Sequence, residues 1–213
     1  AASIPLMIDF GSNRPERPLY DLLTKVLRKG DIYTHCYSGL RGEQDASGGP
    51  SPALIEGRKR GIILDVGHGG GSFAWRNAVP AVAQGFLPDT ISTDLHTGSM
   101  NGTMMDMPTT MSKFLALGVP LREVILRSTW KPAQAIHHEE VGHLTIGNEA
   151  DVAVFKLMEG DFGFGDSDKG VLRGRRRLQC EITLRKGEVV WDWNARTGVD
   201  YRQLGPSYGV RVG

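Results

Sequence analysis

Four short, continuously apolar runs divide the first half of the chain at intervals of about 30 residues. They cover residues 4–8, 31–34, 61–66 and 90–93, and polar residues do not alternate with apolar ones along them. Such runs are typical of strands that are covered on both faces, as in a parallel sheet. The segments between the runs carry apolar residues at helical spacing and end at or near a glycine, a common helix stop. The pattern predicts repeated strand–helix units, and therefore an α/β fold.

The pattern changes in the second half of the chain. Residues 109–118 and 120–136 have helical spacing, with Pro120 and Pro132 near the expected helix starts. From Gly142 onward the sequence is rich in β-forming residues. We therefore predict an α/β part over residues 1–140 and a small β unit over residues 141–213.

Within the β unit, one hairpin and one loop are expected. Residues 181–184 and 188–191 are strand-like, and Lys186 and Gly187 between them form a predicted turn. The segment 159–170 is rich in glycine and aspartate, and we predict a mobile loop there.

Composition limits the classes of partner. The chain has 213 residues, of which 40% are hydrophobic, and 25 Lys and Arg nearly balance 24 Asp and Glu. No overall charge would draw it to nucleic acid or to an anionic membrane, so a small-molecule substrate is the expected partner, with a homo-oligomer left open. Two cysteines, Cys36 and Cys180, give no disulfide framework. With no secretory leader or long apolar span visible, we expect a cytoplasmic protein.

Polar residues capable of chemistry follow each of the four predicted strands. Asp9 ends the first, His35 ends the second, His68 follows the third and Asp94 ends the fourth. In parallel α/β folds the carboxyl ends of the strands form the ligand-binding edge. Each residue alone is more often a turn former or a hydrogen-bonded structural residue. Four in succession at one edge favour a shared functional site.

The residue types at this edge favour a metal. Imidazole and carboxylate groups are ligands for zinc, manganese or iron rather than calcium. Three such ligands and one open position would generate hydroxide from water near neutral pH. Asp94, as a ligand or as a neighbour of that water, would take up the proton. The glycines at 69–71 allow close approach of the backbone to a ligand, but their spacing is a weak match to a nucleotide-binding loop.

The remaining polar residues have less specific interpretations. Arg41 has two: a partner for a substrate carboxylate or, as we favour, an exposed arginine. His96 lies two residues beyond Asp94 and is at most a substrate contact. The pair at 137–138 and His143 are expected to be structural or solvent-exposed, and the basic cluster 173–180 is expected to be a solvated strand rather than a nucleic-acid surface.

Five stretches, in this order, resemble a known family. They are "GDIYTHCYSG", "ILDVGHGGGSF", "ISTDLHTGS", "STWKPAQAI" and "GHLTIGNEADVAVF". Together they are similar to the C-terminal half of the amidohydrolase superfamily, specifically its dihydroorotase-like and deacetylase-like metallohydrolases. The last stretch is the most specific of the five, and the resemblance extends over about residues 4–192.

The resemblance implies a fold, a cofactor and residue roles. The fold would be a partial (β/α)8 TIM-type barrel, about strands 5 to 8 with their helices, followed by a small β-sandwich portion. One or two divalent metal ions, zinc above all, would lie at the carboxyl ends of the strands. His35 matches a metal ligand, and Asp94 matches the aspartate that binds metal and acts as general base. Asp9 stands where the family has a histidine ligand, and His68 would face the substrate.

The resemblance also implies missing parts. The chain contains no His-x-His motif, and no lysine matches the one that the family often carries on its fourth strand. We therefore expect a fragment of a longer enzyme that hydrolyses an amide, a cyclic amide or an ester, with little activity in isolation. The alternative is a non-catalytic half-barrel that assembles with itself or with a partner, its open sheet edges being available for pairing. An open, cofactor-binding sheet is a weaker third interpretation.

Overall fold

The computed structural model describes residues 4–211. Its first part contains a three-stranded parallel sheet in the order β1-β2-β3, formed by β1 (Met7–Ile8), β2 (Ile32–Tyr33) and β3 (Ile63–Leu64). Met7 pairs with Ile32, and Ile32 pairs with Ile63. The strands lie where the apolar runs predict them, but each is only two residues long.

The fourth apolar run lies beside β3 without forming a regular strand. A single parallel bridge joins Thr90 to Asp65. Three backbone N–H groups of the segment 66–69 then donate to carbonyls of this run: Val66 to Thr90 at 3.2 Å, His68 to Ser92 at 3.3 Å and Gly69 to Thr93 at 2.8 Å. The run therefore continues the parallel arrangement, with its carboxyl end beside those of the other strands.

Helices fill the intervals that the sequence pattern assigns to them. They are α1 (Leu19–Asp21, continued by a π-helical turn over Leu22–Val26), α2 (Pro52–Lys59), α3 (Trp75–Ala83), α4 (Met107–Ala116), α5 (Leu121–Ser128) and α6 (Trp130–Ala135). The predicted helical segment 120–136 is split between α5 and α6, because Thr129 leaves the helical region at φ −133° and ψ −82°. Asp106 caps α4 by accepting a hydrogen bond from the Thr109 N–H at 2.7 Å.

The second part is an antiparallel sheet of β4 (Val152–Gly165), β5 (Val171–Arg185) and β6 (Glu188–Asp192). The predicted hairpin at Lys186 and Gly187 is confirmed, and both residues have the positive φ that such a tight turn uses.

The predicted mobile loop over 159–170 is wrong for most of its length. Its first seven residues belong to β4, and only residues 166–170 form the connection to β5. The Asp166 carboxylate orders that turn by accepting hydrogen bonds from the N–H groups of Asp168, at 2.9 Å, and Gly170, at 2.6 Å. At least one glycine of this segment marks close packing, since a Cβ on Gly165 would lie 2.7 Å from the Thr103 Cγ2.

One hydrophobic cluster joins the two parts. Phe164 and Leu178 of the antiparallel sheet are buried in the same cluster as Phe73 and Phe114. Helix α4 lies against β5, and the Ser112 hydroxyl accepts a hydrogen bond from the Leu178 N–H at 2.9 Å. The long hairpin is thereby packed on the α/β part. Cys36 and Cys180 are free thiols, and no helix in the described part of the chain is long and apolar enough to cross a membrane.

Candidate functional site

The ends of β1 and β2 bring Asp9 and His35 together. The His35 Nε2 lies 3.4 Å from the Asp9 Oδ1, and the His35 Nδ1 lies 2.5 Å from the Gly67 carbonyl oxygen. A carbonyl oxygen only accepts hydrogen bonds, so the Nδ1 carries a proton. In a neutral ring the Nε2 is then left with a lone pair directed toward the Asp9 carboxylate. His35 is buried, whereas the Asp9 side chain is 68% exposed, so the pair opens to solvent on the Asp9 side.

Asp94 is placed by the same short loop that orients His35. A Cβ added to Gly69 would lie 2.5 Å from the Asp94 Oδ2, so the carboxylate rests directly on the Gly69 backbone. Both Gly67 and Gly69 have positive φ, at 43° and 52°. Residues 67–69, which we call the Gly67–Gly69 loop, therefore contact two of the three predicted metal ligands.

His35 and Asp94 themselves adopt left-handed backbone conformations, with φ of 68° and 49°. Residues other than glycine rarely do so, and such conformations cost about 1–3 kcal/mol each and cluster at functional sites. Each residue makes a sharp turn where its strand ends. This conformation turns the chain away from the strand at the point where each side chain reaches the edge of the sheet.

His68 lies inside the Gly67–Gly69 loop and points into the protein. It is completely buried and stacked on Phe73, with ring centroids 4.7 Å apart. Its Nδ1 lies 2.8 Å from the Gly69 carbonyl oxygen, and its Nε2 lies 2.5 Å from the Nζ of Lys113. Burial, and then the Lys113 charge, lower the pKa of His68 to about 4. The predicted substrate contact of His68 stays a prediction; in this structure both ring nitrogens have partners within the protein.

Lys113 is the residue of this region that the sequence did not indicate. It lies on α4 and is completely buried. Besides the His68 Nε2, its Nζ reaches the carbonyl oxygens of Thr103, at 3.0 Å, and Gly165, at 2.6 Å. Burial lowers the pKa of Lys113 to about 7. No sequence signal marks it, because one lysine in an amphipathic helix normally lies on the solvated face.

Arg41 is buried, so the favoured interpretation of it as an exposed arginine is wrong. Its guanidinium contacts the Phe10 carbonyl oxygen, the Ser38 hydroxyl at 3.0 Å and the Asp9 Oδ1 at 3.4 Å. Its backbone N–H donates to the buried Glu43 carboxylate at 2.8 Å. A role toward a substrate carboxylate stays a prediction. In this structure the guanidinium and the His35 Nε2 both lie 3.4 Å from the Asp9 Oδ1.

The buried Glu43 carboxylate accepts further hydrogen bonds near the site. Its Oε1 accepts hydrogen bonds from the Tyr33 hydroxyl at 3.0 Å and the Ser38 hydroxyl at 2.8 Å. Burial, and then the Glu43 charge, raise the pKa of Tyr33. The Tyr33 hydroxyl thus stays a donor, and β2 is tied to the loop that carries Arg41.

Asp65 forms a second buried polar centre where β3 ends. Its carboxylate accepts hydrogen bonds from the Thr34 hydroxyl at 2.8 Å, the Thr90 hydroxyl at 2.5 Å and the Ser92 hydroxyl at 2.6 Å. These partners come from the end of β2 and from the fourth apolar run. The sequence held a signal for this residue, namely a carboxylate inside the apolar run 61–66.

His96 lies in the exposed loop that follows Asp94. Its ring Nδ1 accepts a hydrogen bond from the Gly98 N–H at 3.1 Å, and its backbone carbonyl caps the turn at Ser99. The predicted contact of His96 with substrate stays a prediction.

The donors fit part of a zinc site. Two atoms bound to one zinc ion, each at about 2.1 Å and at a tetrahedral angle, lie roughly 3.4 Å apart, which is the observed separation of the His35 Nε2 and the Asp9 Oδ1. A metal-binding histidine typically donates its other N–H to a carbonyl or carboxylate, as His35 does to Gly67. Within residues 4–211, however, no group of three or more His, Cys, Asp or Glu side chains is arranged to hold an ion.

The sequence matches a known protein family. Residues 74–189 match the amidohydrolase family. The chain belongs to this family. The resemblance based on the five sequence stretches is thereby confirmed.

Curated relatives are deacetylases. The chain is 39% identical over 189 residues to a deacetylase of Agrobacterium fabrum, covering 88% of this chain and 46% of that protein. It is 32% identical over 189 residues to a deacetylase of Enterococcus faecalis, covering 87% of this chain and 50% of that protein. The chain thus spans about half the length of the curated relatives it matches.

Solved structures of two further proteins share the fold over the same extent. The crystal structure of an adenine deaminase superimposes with a TM-score of 0.81 at 29% identity, covering 88% of this chain and 51% of that one. The crystal structure of a dihydroorotase gives a TM-score of 0.75 at 36% identity, covering 88% and 48%. The α/β fold is therefore an amidohydrolase fold over about half of the length of these structures.

Proposed function

We propose that this chain is part of a metal-dependent hydrolase that cleaves an amide, a cyclic amide or an ester bond of a small substrate with a metal-activated water. One observation carries the proposal: the buried His35 ring, held by the Gly67 carbonyl, directs its Nε2 to the Asp9 carboxylate 3.4 Å away at the ends of adjacent parallel strands. Membership of the amidohydrolase family and the deacetylase relatives support it.

The finer description of the fold is also a proposal. We infer that β1 to β3 and the run 90–93 correspond to strands 5 to 8 of a (β/α)8 barrel, followed by a β-sandwich portion that begins near residue 141. The parallel order and the coverage of about half of each relative support this inference.

Each residue then has a role. His35, through its Nε2, and Asp9, through its carboxylate, would hold zinc together with Asp94 and with ligands from outside the described residues. When bound, zinc supplies a Lewis acid that lowers the pKa of a water molecule to about 7. Asp94 accepts the proton as the water oxygen attacks the carbonyl carbon. It then returns that proton to the nitrogen or oxygen that leaves.

The class of substrate follows from the relatives rather than from a pocket. Deacetylases remove acetyl groups, so an acylated small molecule is the proposed substrate class. His96, His68 and Arg41 are the proposed substrate contacts of the complete site. Of these, His96 is exposed beside Asp94.

Metal binding by the chain tests the proposal most directly. Titration of zinc or cobalt into the protein should show binding that weakens at least tenfold in His35→Gln and in Asp9→Asn. The exposed His138, which pairs with Glu140, offers a matched control, and His138→Gln should bind as the wild type does. Equal metal affinity in the wild type and all three variants would refute the assignment of His35 and Asp9 as ligands.

Hydrolysis provides the second measurement. Any release of acetate from N-acetyl or O-acetyl substrates should disappear in Asp94→Asn while the melting temperature is unchanged. If Asp94→Asn loses stability and no variant or wild type hydrolyses a substrate, the structural alternative is favoured.

That alternative, a non-catalytic half-barrel that assembles with itself or with a partner, is supported by one specific observation. Among residues 4–211, strand β1 pairs only with β2, and the side chains of Ile4, Leu6 and Met7 are 65%, 48% and 56% exposed. A sheet edge with exposed apolar side chains is available for pairing with another chain.

A further inference from the structure

Lys113 occupies an unusual position for a lysine. It is completely buried, and within the described residues no carboxylate lies within ion-pair distance of its Nζ. Its ammonium group has three N–H donors, and three acceptors surround it: the His68 Nε2 and the carbonyl oxygens of Thr103 and Gly165. Burial of a charged lysine is costly, and here the three acceptors replace the hydrogen bonds to water that burial removes.

The first acceptor leads to the Gly67–Gly69 loop. The Gly69 carbonyl can only accept, so the His68 Nδ1 is the protonated nitrogen and the Nε2 accepts from Lys113. The Gly69 carbonyl thus sets the tautomer of His68, and the hydrogen bond from Lys113 to the Nε2 fixes the orientation of the ring. Since that ring is stacked on Phe73, the middle of the loop is held from the interior of the protein.

The two ends of this loop carry the proposed ligands. The Gly67 carbonyl accepts the Nδ1–H of His35, and the Gly69 backbone supports the Asp94 carboxylate. A displacement of the His68 backbone would therefore move the partners of both residues at once. Asp9, in contrast, is held by Arg41 and does not touch the loop.

The other two acceptors belong to segments distant in sequence. Thr103 follows the loop of Asp94 and His96, and Gly165 lies at the end of β4 in the hairpin. The Asp166 carboxylate also accepts the Trp75 N–H at 2.9 Å. The hairpin tip, the loop after Asp94 and the Gly67–Gly69 loop thus meet at one ammonium group.

We propose that Lys113 is a positioning residue: through His68 it holds the Gly67–Gly69 loop in the conformation that aligns His35 and Asp94, and it ties that loop to the β4–β5 hairpin. The consequence of this positioning for catalysis rests on the proposed function. The positioning of the loop by Lys113 is independent of that function, because its contacts lie within the protein and are present without metal.

The unmodified protein provides the first test. Nitrogen-15 NMR of the histidine rings should show His68 as a neutral ring protonated at Nδ1. A His68 ring protonated at Nε2 would overturn the proposal, because Lys113 would then face a donor. This measurement needs no variant, so it decides the question even if a substituted protein does not fold.

Hydrogen exchange in Lys113→Met provides the second test. Methionine fills a similar volume but donates no hydrogen bond. The amides of His68 and Gly69, which donate to Ser92 and Thr93, should exchange at least tenfold faster than in the wild type. Those of Ile63 on β3 and of Asp65 directly after it, which donate to Asp31 and Tyr33, should keep their rates. Lys113→Gln, which retains a donor, should recover part of the protection. If all four amides exchanged faster by the same factor, or if none did, Lys113 would support the fold in general and not this loop in particular. Either result would refute the proposal.

Metal affinity separates this inference from the proposed function. Loss of a group that orients ligands typically lowers metal affinity 10- to 100-fold, so Lys113→Met should bind cobalt correspondingly more weakly. The control is Lys59→Met, which removes an exposed lysine paired with Glu56 on α2 and should leave affinity unchanged. If the wild type binds no metal, the proposed function fails, whereas the exchange and tautomer results still decide the role of Lys113.

Discussion

Gly69 shows how one missing side chain determines the position of a proposed catalytic group. Its φ of 52° lies in the left-handed region, and a Cβ there would meet the Asp94 Oδ2 at 2.5 Å. The aspartate can occupy its position only because residue 69 has no side chain. Of the glycine run 69–71, which the sequence analysis singled out for close approach to a ligand, Gly69 allows the close approach of Asp94.

We expect Gly69→Ala to destabilise the protein and to displace Asp94. The left-handed conformation alone costs about 1–2 kcal/mol for a residue with a Cβ, and the contact with the carboxylate adds to that. Urea unfolding measures the loss. Gly71→Ala is the matched control, since a Cβ there would meet no atom within 4 Å. Equal stability of both variants would contradict this account of the loop.

Lys113 should also make stability depend on pH. Its pKa is about 7 in the folded protein and 10.5 in the unfolded chain, so between these values the unfolded chain binds more protons. The free energy of unfolding should therefore rise with pH over this range, by up to about 1.4 kcal/mol per pH unit from this one group. His68, with a folded pKa of about 4, contributes a similar rise between about pH 4 and 6.5.

The difference between wild type and Lys113→Met isolates the lysine. Burial raises the pKa of Cys36, which lowers stability as the pH rises through the range of an ordinary thiol, but this effect is present in both proteins. Urea unfolding at pH 7, 8 and 9 should show the stability of Lys113→Met rising less steeply than that of the wild type. Lys59→Met should retain the wild-type slope. Parallel slopes for wild type and Lys113→Met would mean that Lys113 has an ordinary pKa.

The secondary structure was predictable where periodicity decides it and not where tertiary contacts do. Amphipathic spacing located α2, α3 and α4, because a helix that packs on a sheet needs one apolar stripe. The segment 159–170 was misassigned because its glycines and aspartates usually indicate loops. Here Gly165 permits β4 to approach Thr103 closely, and Asp166 closes the turn.

The residues of the candidate site were likewise predictable only where their position along the chain marks them. Asp9, His35 and Asp94 were predicted because their positions at strand ends are visible in the sequence, and the structure places the first two 3.4 Å apart. Lys113 and Glu43 were not found, because their partners lie 45 residues away in one case and depend on a loop conformation in the other. The burial of Arg41 likewise depends on contacts that no local pattern encodes.

The Asp65 carboxylate links three strand ends, and its removal should lower the free energy of unfolding substantially. Asp65→Ala would leave the hydroxyls of Thr34, Thr90 and Ser92 without their acceptor in a buried environment. Each lost buried hydrogen bond costs about 1–3 kcal/mol, so a loss of about 3 kcal/mol or more in the free energy of unfolding is expected.

Two variants serve as references for Asp65. Asp65→Asn keeps an acceptor and should lose less stability than Asp65→Ala. Asp21→Ala removes an exposed carboxylate that pairs with Lys25 at 2.8 Å on the helix surface, and it should cost less than about 1 kcal/mol. If Asp65→Ala were no more costly than Asp21→Ala, the three hydroxyls would have to find other partners, and Asp65 would not hold the strand ends together.

The molecule as a whole has a tightly packed interior and an incompletely covered sheet. The hairpin packs on the helical layer through Phe164 and Leu178, whereas the outer edge of β1 pairs with no strand among residues 4–211. An apolar cavity of about 400 Å³ extends across the sheet from β1, lined in part by Met7, Ile32 and Ile91. An edge strand next to an apolar surface is a site for association with another chain.

We therefore expect the chain to self-associate through β1 when it is studied alone. Sedimentation velocity over a range of protein concentrations should show dimers or larger species, and Met7→Lys should shift them toward the monomer, because a buried unpaired charge at a strand interface is unfavourable. Val199→Lys is the control, since Val199 is similarly exposed, at 61%, but lies outside both sheets. A chain that remains monomeric at every concentration would show that this edge does not pair with a second copy, which would remove the main support for the self-assembling half-barrel. Self-association lost in Met7→Lys but kept in Val199→Lys would place the contact at β1, next to Asp9.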